Sequence, residues 1–441
     1  MRILIAVHHF PPRYTGGAEL RARRTAHYLQ SKGHEVAIIC VEDPIHGPAD
    51  RASWTDDVFE GLHVRRLAFS IPKAKDPARW EYDNPLVADH LQSFLRDVHP
   101  DIFHMFSGYM LTGSALRVAS AMRIPTVLTL TDYWFLCPRM HLVRSNGEIC
   151  STLPADEICA QCLGEERRRY RIPARILPAF MRGYWKRRED ARKRMRVRRS
   201  FLLETLACAD RIISPSRFLR GFFIDAGVPE ETIRFLRQGR DFPQLSAEDL
   251  RKEPSSTFRV GYIGQLAWHK GVHVLFEAAL RIPGVPLTIY VYGERAHFPR
   301  YAEKLDRYAR RDGRLKLEGT FRPGQLGRVM KGLDVVVVPS LWFENSPNVI
   351  LEAFAYETPV IVSDLGGMAE LVEHEVNGLR FRVGDPDDLA LQLRRVIEEP
   401  GLLDHLRKGI PRVKTIEEEM NELLALYADV MAEYSPPLRV A

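Results

Sequence analysis

The sequence predicts an α/β protein built from two doubly wound, parallel-sheet domains. Three observations carry that prediction. The chain has 441 residues, more than one hydrophobic core organises, which points to two domains of about 200 residues each. Short apolar runs alternate with amphipathic stretches in both halves, the pattern of a parallel sheet covered by helices. Residues 335–338 are four consecutive valines, as expected of a strand buried on both faces.

The composition, 45% hydrophobic and 27% charged, is ordinary for a globular chain. No segment approaches the ~20 uninterrupted apolar residues that cross a bilayer. The opening MRILIAVHHFPP has too short an apolar run for a signal peptide and lacks a cleavage site. Together these features predict a cytoplasmic protein.

In chain order, residues 2–7 form the first strand. The chain then passes His8-His9-Phe10-Pro11-Pro12 and the pair Gly16-Gly17 before a helix over 20–32. A glycine pair between strand and helix lets backbone approach a phosphate closely. It does not spell G-x-G-x-x-G, which counts against a nicotinamide dinucleotide. Further strands are expected at 35–41, 62–67, 101–105, 126–130 and 211–214, with helices at 86–98 and 111–122. Ligands of such sheets sit outside the carboxyl ends of the strands. His104 and Thr131-Asp132 stand at two of those ends. Asp132 would either accept from ligand hydroxyls or shape a turn.

An insertion follows, over 133–200. Cys137, Cys150, Cys159 and Cys162 are four of the chain's six cysteines, and the last two form C-x-x-C. In a protein expected in the cytosol, such density predicts a structural zinc rather than disulfides. Unligated thiols and an iron–sulfur cluster remain the alternatives. From Arg167 to Arg199 the chain is strongly basic, opposed only by Glu189 and Asp190. Ile172, Ile176, Leu177, Phe180, Met181, Tyr184 and Trp185 recur there at helical spacing. A basic amphipathic segment of this kind reads as a surface for anionic lipid, although Pro173 and Pro178 argue against one straight helix. The alternative is a solvated face on a packed helix. No nucleic-acid fold accompanies the charge.

A polar linker at 245–257 leads to a strand at 259–264, the loop Gly264-Gln265-Leu266-Ala267-Trp268-His269-Lys270-Gly271, and a helix over 272–281. Strands at 287–293 and 315–319 follow, the latter running into Thr320-Phe321-Arg322. After the valine strand, Pro339 opens a loop containing Glu344. Ser346 is placed to cap a helix whose first residue is Pro347. That order aims free backbone N–H groups and a positive dipole end at an anion. Glu344, in the loop, and Glu352, about two turns into the helix, could face one cleft. Phosphate-binding amides beside two hydroxyl-accepting carboxylates suggest a ligand that is part phosphate and part sugar. The last strands, at 359–363 and 378–383, flank Gly366-Gly367 and Glu370. An amphipathic segment over 416–434 ends the pattern.

Glu344, seven residues and Glu352 resemble the E-x7-E signature of the retaining, nucleotide-sugar-dependent glycosyltransferases of family 4, whose fold is GT-B. The resemblance spans nearly the whole chain. It implies a domain over 1–215 that meets the acceptor, a nucleotide-sugar domain over 216–412, and a final helix, 413–441, crossing back to the first domain. It further implies that Lys270 and the amides of Asn345, Ser346, Pro347, Asn348 and Val349 surround the donor, with the Gly16-Gly17 loop beside the diphosphate. Pro347 supplies backbone but no N–H. Glu344 would accept from the sugar, Glu352 from the ribose, and Phe321 would adjoin the base. Catalysis would fall to Glu344, Lys270 and Asp132 without an essential metal. Two positions depart from the family pattern: Gln265 stands where arginine is usual, and Thr131 where histidine is. Arg240 and His269 are the cations placed to replace the first. The resemblance implies a saccharide acceptor, and with the Cys-rich insertion and basic stretch it implies one that is lipid-linked, at the inner membrane face, in bacterial surface-polysaccharide synthesis. A nucleotide-sugar epimerase and a catalytically silent scaffold of the same fold are the rival readings.

Overall fold

The computed structural model describes residues 1–243 and 245–434. The chain divides into two compact units, one comprising 1–215, 219–236 and the chain from 419 on, the other 216–218 and 237–418.

The first unit is built on an eight-stranded sheet. Its strands are β1 (Arg2–Val7), β2 (Glu35–Asp43), β3 (Ser53–Phe59), β4 (Leu62–Ala68), β5 (Ile102–Phe106), β6 (Thr126–Thr129), β7 (Arg211–Ser214) and β8 (Ile233–Phe235). The order is β3-β4-β2-β1-β5-β6-β7-β8. Every pairing is parallel except β3 with β4, which is antiparallel at the edge. β1 lies inside the sheet and is buried from Ile3 to Val7. That explains its unbroken apolar run.

The structure departs from the sequence pattern at three places in this unit. The boundary set at residue 215 lies later, because β8 continues the sheet beyond β7 and carries the unit to Leu236. β3 was not foreseen. It is an exposed edge strand, SWTDDVF, and no core imposes alternation on it. His104 is not a ligand residue. It is 1% exposed and lies between the hydroxyls of Tyr427, at 2.6 Å, and Thr129, at 2.7 Å. Burial lowers its pKa to about 3 and keeps it neutral.

The final helix, Ile416–Tyr434, belongs to this unit from Glu419 on. Glu419, 1% exposed, accepts from Arg21 at 2.6 Å and from Arg24 at 3.2 Å. Removing one partner of a buried pair costs about 3–5 kcal/mol, so this contact helps to fix the helix.

The basic stretch forms three helices. They are Arg168–Ile176, Pro178–Arg187 and Glu189–Leu206, broken at Leu177 and Arg188. Pro178 begins the second, as proline at a first helical position should.

The second unit carries a six-stranded, all-parallel sheet of β9 (Phe258–Ile263), β10 (Leu287–Tyr292), β11 (Leu315–Gly319), β12 (Val335–Val338), β13 (Val360–Ser363) and β14 (Gly378–Phe381). The order is β11-β10-β9-β12-β13-β14. β12 sits inside it. Val335 and Val337 enter the core on one face, and Val336 and Val338 the core on the other. Successive side chains of a strand point to opposite faces, and helices cover both, so all four positions are apolar.

Candidate functional site

The loop after β12, over 339–347, and the helix Asn348–Ala355 form the corner where the sequence signals converge. Two glycines let backbones close on this corner. Gly271, at φ +74°, lies where a Cβ would stand 1.8 Å from the Pro339 carbonyl oxygen, so only glycine lets the loop after β9 dock there. Gly367 lies where a Cβ would stand 1.9 Å from the Asn345 oxygen, and its N–H donates to the Glu344 carbonyl at 2.8 Å. The glycine pair 366–367 therefore holds the Glu344 backbone in place.

Three donors meet on one carboxylate oxygen. Glu344 Oε1 accepts from Lys270 Nζ at 2.5 Å, from the Trp342 indole N–H at 2.7 Å and from the Ser340 hydroxyl at 2.9 Å. The Lys270 ammonium also lies 5.0 Å from the Trp342 ring centre. Burial opposes ionisation of Glu344, but Lys270 and the two neutral donors outweigh it and hold the pKa below its usual value. The carboxylate therefore stays charged near neutral pH. None of the three bonds uses Oε2.

Glu352 is differently placed. It projects from the helix and pairs with Arg240, whose own backbone N–H is tied to the Lys414 carbonyl at 2.8 Å. Burial raises the Glu352 pKa, with Arg240 opposing.

The expected helix cap is corrected. Pro347, with ψ 120°, is extended and is itself the N-cap position, and Asn348 is the first helical residue. Ser346 does not cap. Its hydroxyl and carbonyl both accept from the Gln238 amide, at 3.3 and 2.8 Å, and Asn348 Oδ1 accepts from the same group at 2.9 Å.

Gln265 is exposed, and its carbonyl accepts from the Tyr262 hydroxyl at 2.7 Å. His269 does not replace the missing cation. Burial, with Lys270 beside it, lowers its pKa to about 4, so it is neutral at pH 7. Arg240 does not replace it either, being engaged by Glu352. Phe321 follows β11 and meets Tyr292 edge-on at 5.5 Å. Asp385-Pro386-Asp387 spells D-x-D, but Asp385 caps the helix Pro386–Glu398 by accepting from the Asp387 and Asp388 amides.

Lys270, Gln265, Asn345, Ser346, Pro347, Asn348, Val349, Glu344, Glu352 and Phe321 thus all belong to the second unit, in the loops after its strands or on the helix Asn348–Ala355. Gly16, Gly17, Asp132 and the cysteines belong to the first. Gly16 caps the helix Gly17–Ser31, close to Glu19, which pairs with His8 at 3.3 Å. Asp132 shapes a turn, accepting from the Trp134 amide at 2.7 Å and from the Thr131 and Ser107 hydroxyls at 3.0 and 3.2 Å. Cys137, Cys150, Cys159 and Cys162 line one small cavity. Ser340 and Trp342 were missed by the sequence reading; the available signal was their place within four residues of Glu344, in a loop otherwise read only for its acid.

A family model described as Glycosyl transferases group 1 matches residues 257–399. Among curated relatives, the glycogen synthase of Mycobacterium tuberculosis is 25% identical over 411 residues, covering 91% of this chain and 87% of that protein. The amylovoran biosynthesis glycosyltransferase AmsK of Erwinia amylovora is 29% identical over 223 residues, 48% of this chain and 52% of AmsK. The chain thus spans about half of AmsK, and 37% of an uncharacterized glycosyltransferase of Methanocaldococcus jannaschii that is 31% identical over 145 residues, 33% of this chain. Among solved structures, Anabaena HepE in complex with UDP and glucose superposes with a TM-score of 0.64 at 20% identity, over 97% of this chain and 100% of that one. Sucrose-phosphate synthase of Thermosynechococcus elongatus gives 0.66 at 17%, over 98% and 99%. These likenesses establish the fold as GT-B. A model described as Glycosyltransferase Family 4 matches residues 15–242, more than half of the chain; the chain belongs to glycosyltransferase family 4.

Proposed function

We propose that this protein is a retaining glycosyltransferase that moves a sugar from a nucleotide diphosphate-sugar to a saccharide acceptor. The observation that carries the reading is the three-donor grip on Glu344 Oε1 beside the start of the helix Asn348–Ala355. A carboxylate held ionised accepts hydrogen bonds and does not serve as a general acid. Glu344 would therefore orient the sugar through its hydroxyls while Lys270 and nearby amides stabilise charge growing on the departing diphosphate. Losing one such donor costs about 3–4 kcal/mol of transition-state stabilisation. Glu352 would accept from the ribose. In the step itself the bond from the anomeric carbon to the phosphate oxygen breaks, and a bond to the acceptor oxygen forms. The acceptor proton passes to the departing phosphate, and Lys270 with the nearby amides takes the charge-stabilising part that a divalent metal would otherwise play. Asp132 and the Gly16-Gly17 turn stand at strand-end loops of the first unit, where acceptor hydroxyls would be met. The UDP and glucose seen in HepE support a nucleotide-sugar donor.

The acceptor we propose is lipid-linked, in cell-surface polysaccharide synthesis, with the protein peripheral on the cytoplasmic membrane. The amylovoran role named for AmsK supports the pathway class. The basic helices support the membrane. Ile172, Ile176, Leu177 and Phe180 are 47, 70, 58 and 68% exposed, among arginines whose charge suits anionic lipid. No helix among the described residues is long and apolar enough to cross a membrane.

A panel of nucleotide sugars, each with and without saccharide acceptors, tests the reading. Acceptor-dependent release of nucleoside diphosphate, undiminished by EDTA, with the anomeric configuration preserved by NMR, is expected. An inverted product or isomerisation of the donor alone would overturn it. For the membrane, sedimentation with anionic but not neutral vesicles is expected, and Phe180→Glu should weaken it severalfold. Equal sedimentation of the variant contradicts the assignment.

A further inference from the structure

Cys137, Cys150, Cys159 and Cys162 come from different places in the insertion yet line the same cavity, of about 20 Å³. None is paired in a disulfide. A space of that size holds one water-sized occupant, which suits a single ion and not a multi-iron cluster. As the side chains stand, no three histidine, cysteine or acidic groups among the described residues could hold a metal ion, so binding would have to draw the four thiols inward around the cavity. What the structure shows is four cysteines around one cavity, and donors turned toward two of their sulfurs.

Those donors are informative. The Ser145 backbone N–H points at Cys162 Sγ, 3.3 Å away, and Arg139 Nη1 lies 3.6 Å from the same sulfur. Arg199 Nη2 lies 3.7 Å from Cys159 Sγ. A thiol is a weak acceptor, whereas a metal-bound thiolate is charged and is normally oriented by such outer hydrogen bonds. Arg139 and Arg199 are themselves anchored on the carbonyls of Val143 and Pro154, at 2.7 and 2.6 Å, and paired with Glu166 and Asp156.

The packing supplies a reason for a ligand here. The helices Asp156–Gly164 and Pro178–Arg187 share a core cluster with only three buried residues, Ala160, Met181 and Trp185. The helix Arg168–Ile176 buries none. So small a cluster contributes little stability by itself, and small folds of this kind rely on a metal or a cross-link.

We propose that Cys137, Cys150, Cys159 and Cys162 bind one zinc-class ion in the cavity they line, and that the ion staples the 137–150 loop to the helix Asp156–Gly164. Each thiol gives up its proton as it ligates, so binding releases up to four protons. Four thiolates and a divalent cation leave a doubly negative centre, which the Arg139 and Arg199 guanidiniums face. The site has no part in the transfer reaction. It holds the platform from which the basic helices project.

Elemental analysis of the full chain, purified without a metal-chelating tag from zinc-supplemented culture, is expected to find about one zinc per chain. Exchange for cobalt should produce thiolate charge-transfer and tetrahedral ligand-field absorption. Cys159→Ser and Cys162→Ser should each lower bound metal by roughly tenfold or more, whereas Cys40→Ser and Cys208→Ser should not. Stripping the metal should speed tryptic cleavage within residues 167–188. The wild-type metal content and the cobalt spectrum decide the matter even where a variant fails to fold. Metal-free protein whose four thiols all react with a thiol reagent under native conditions overturns the proposal. So do a disulfide among them in unreduced protein and stoichiometric iron with visible colour.

Discussion

Glu344 and Glu352 lie on one loop and helix, both shielded from water, and their surroundings push them in opposite directions. Glu344 meets a lysine and two neutral donors on a single oxygen, and its pKa falls. Glu352 meets one arginine, and burial prevails, so its pKa rises. The difference is one of donor number. Three hydrogen bonds and a charge repay the desolvation of a carboxylate, and a lone guanidinium does not. In the proposed reaction the first acid lies near the reacting centre and must stay charged, while the second grips a pentose and needs only to accept.

The largest effect should come from breaking the richer side. Lys270→Met leaves Glu344 buried without its cation and removes a positive charge from the leaving group. We expect transfer to fall by about 10²–10³, read as kcat at saturating donor, with a destabilisation of about 3–5 kcal/mol. Trp342→Phe is gentler. It keeps a ring beneath Lys270 but deletes one donor to Oε1; hydrogen bonds to charged groups are worth about 1.5–3 kcal/mol, so kcat should drop roughly 10- to 100-fold with nucleoside diphosphate affinity unchanged. Arg240→Gln should show the reverse pattern. Nucleoside diphosphate affinity should weaken by about tenfold, more so in mild acid, because Glu352 loses the charge that opposes its protonation. A titration with nucleoside diphosphate at two pH values separates the two variants.

The smallest effect, on stability against pH, should differ in sign. Glu344 has a folded pKa below its ordinary 4.5. Its contribution is present above that value and drains away as pH falls through the lowered one. Glu352 has a folded pKa above 4.5, so stability declines as pH rises from there to the raised value. Glu344→Gln should therefore flatten the acid limb of Tm against pH, and Glu352→Gln should steepen it, each by about 1–3 °C. Parallel profiles for both variants would break the contrast.

Much of this was legible before any coordinates. The four valines of β12 identified a strand covered on both faces, whereas the backbone contacts at Gly271 and Gly367 showed only in the structure. The sequence pattern also singled out both acids, and the family resemblance Lys270. What it hid depends on chain segments far apart in sequence. Trp342 and Ser340 look like loop filler until Lys270 arrives beside them from the loop after β9. Arg240 reads as a stand-in for the missing phosphate cation until it meets Glu352. β3 escaped because an exposed edge strand has no buried face to impose alternation, and β8 because three residues are too few to show a period. His104 misled because a strand-end histidine reads alike whether it faces a ligand or, as here, Tyr427 of the final helix. Ser346 misled because a serine before a proline fits the cap pattern whether or not the proline turns helical.

The most direct measurement of the central claim is the single-turnover transfer rate of Glu344→Gln at saturating donor, against wild type. The substitution keeps size and hydrogen-bonding capacity and removes only the charge. The account predicts a fall of about 100-fold or more, in protein that melts with wild-type cooperativity and still binds nucleoside diphosphate. A rate within twofold of wild type would contradict it.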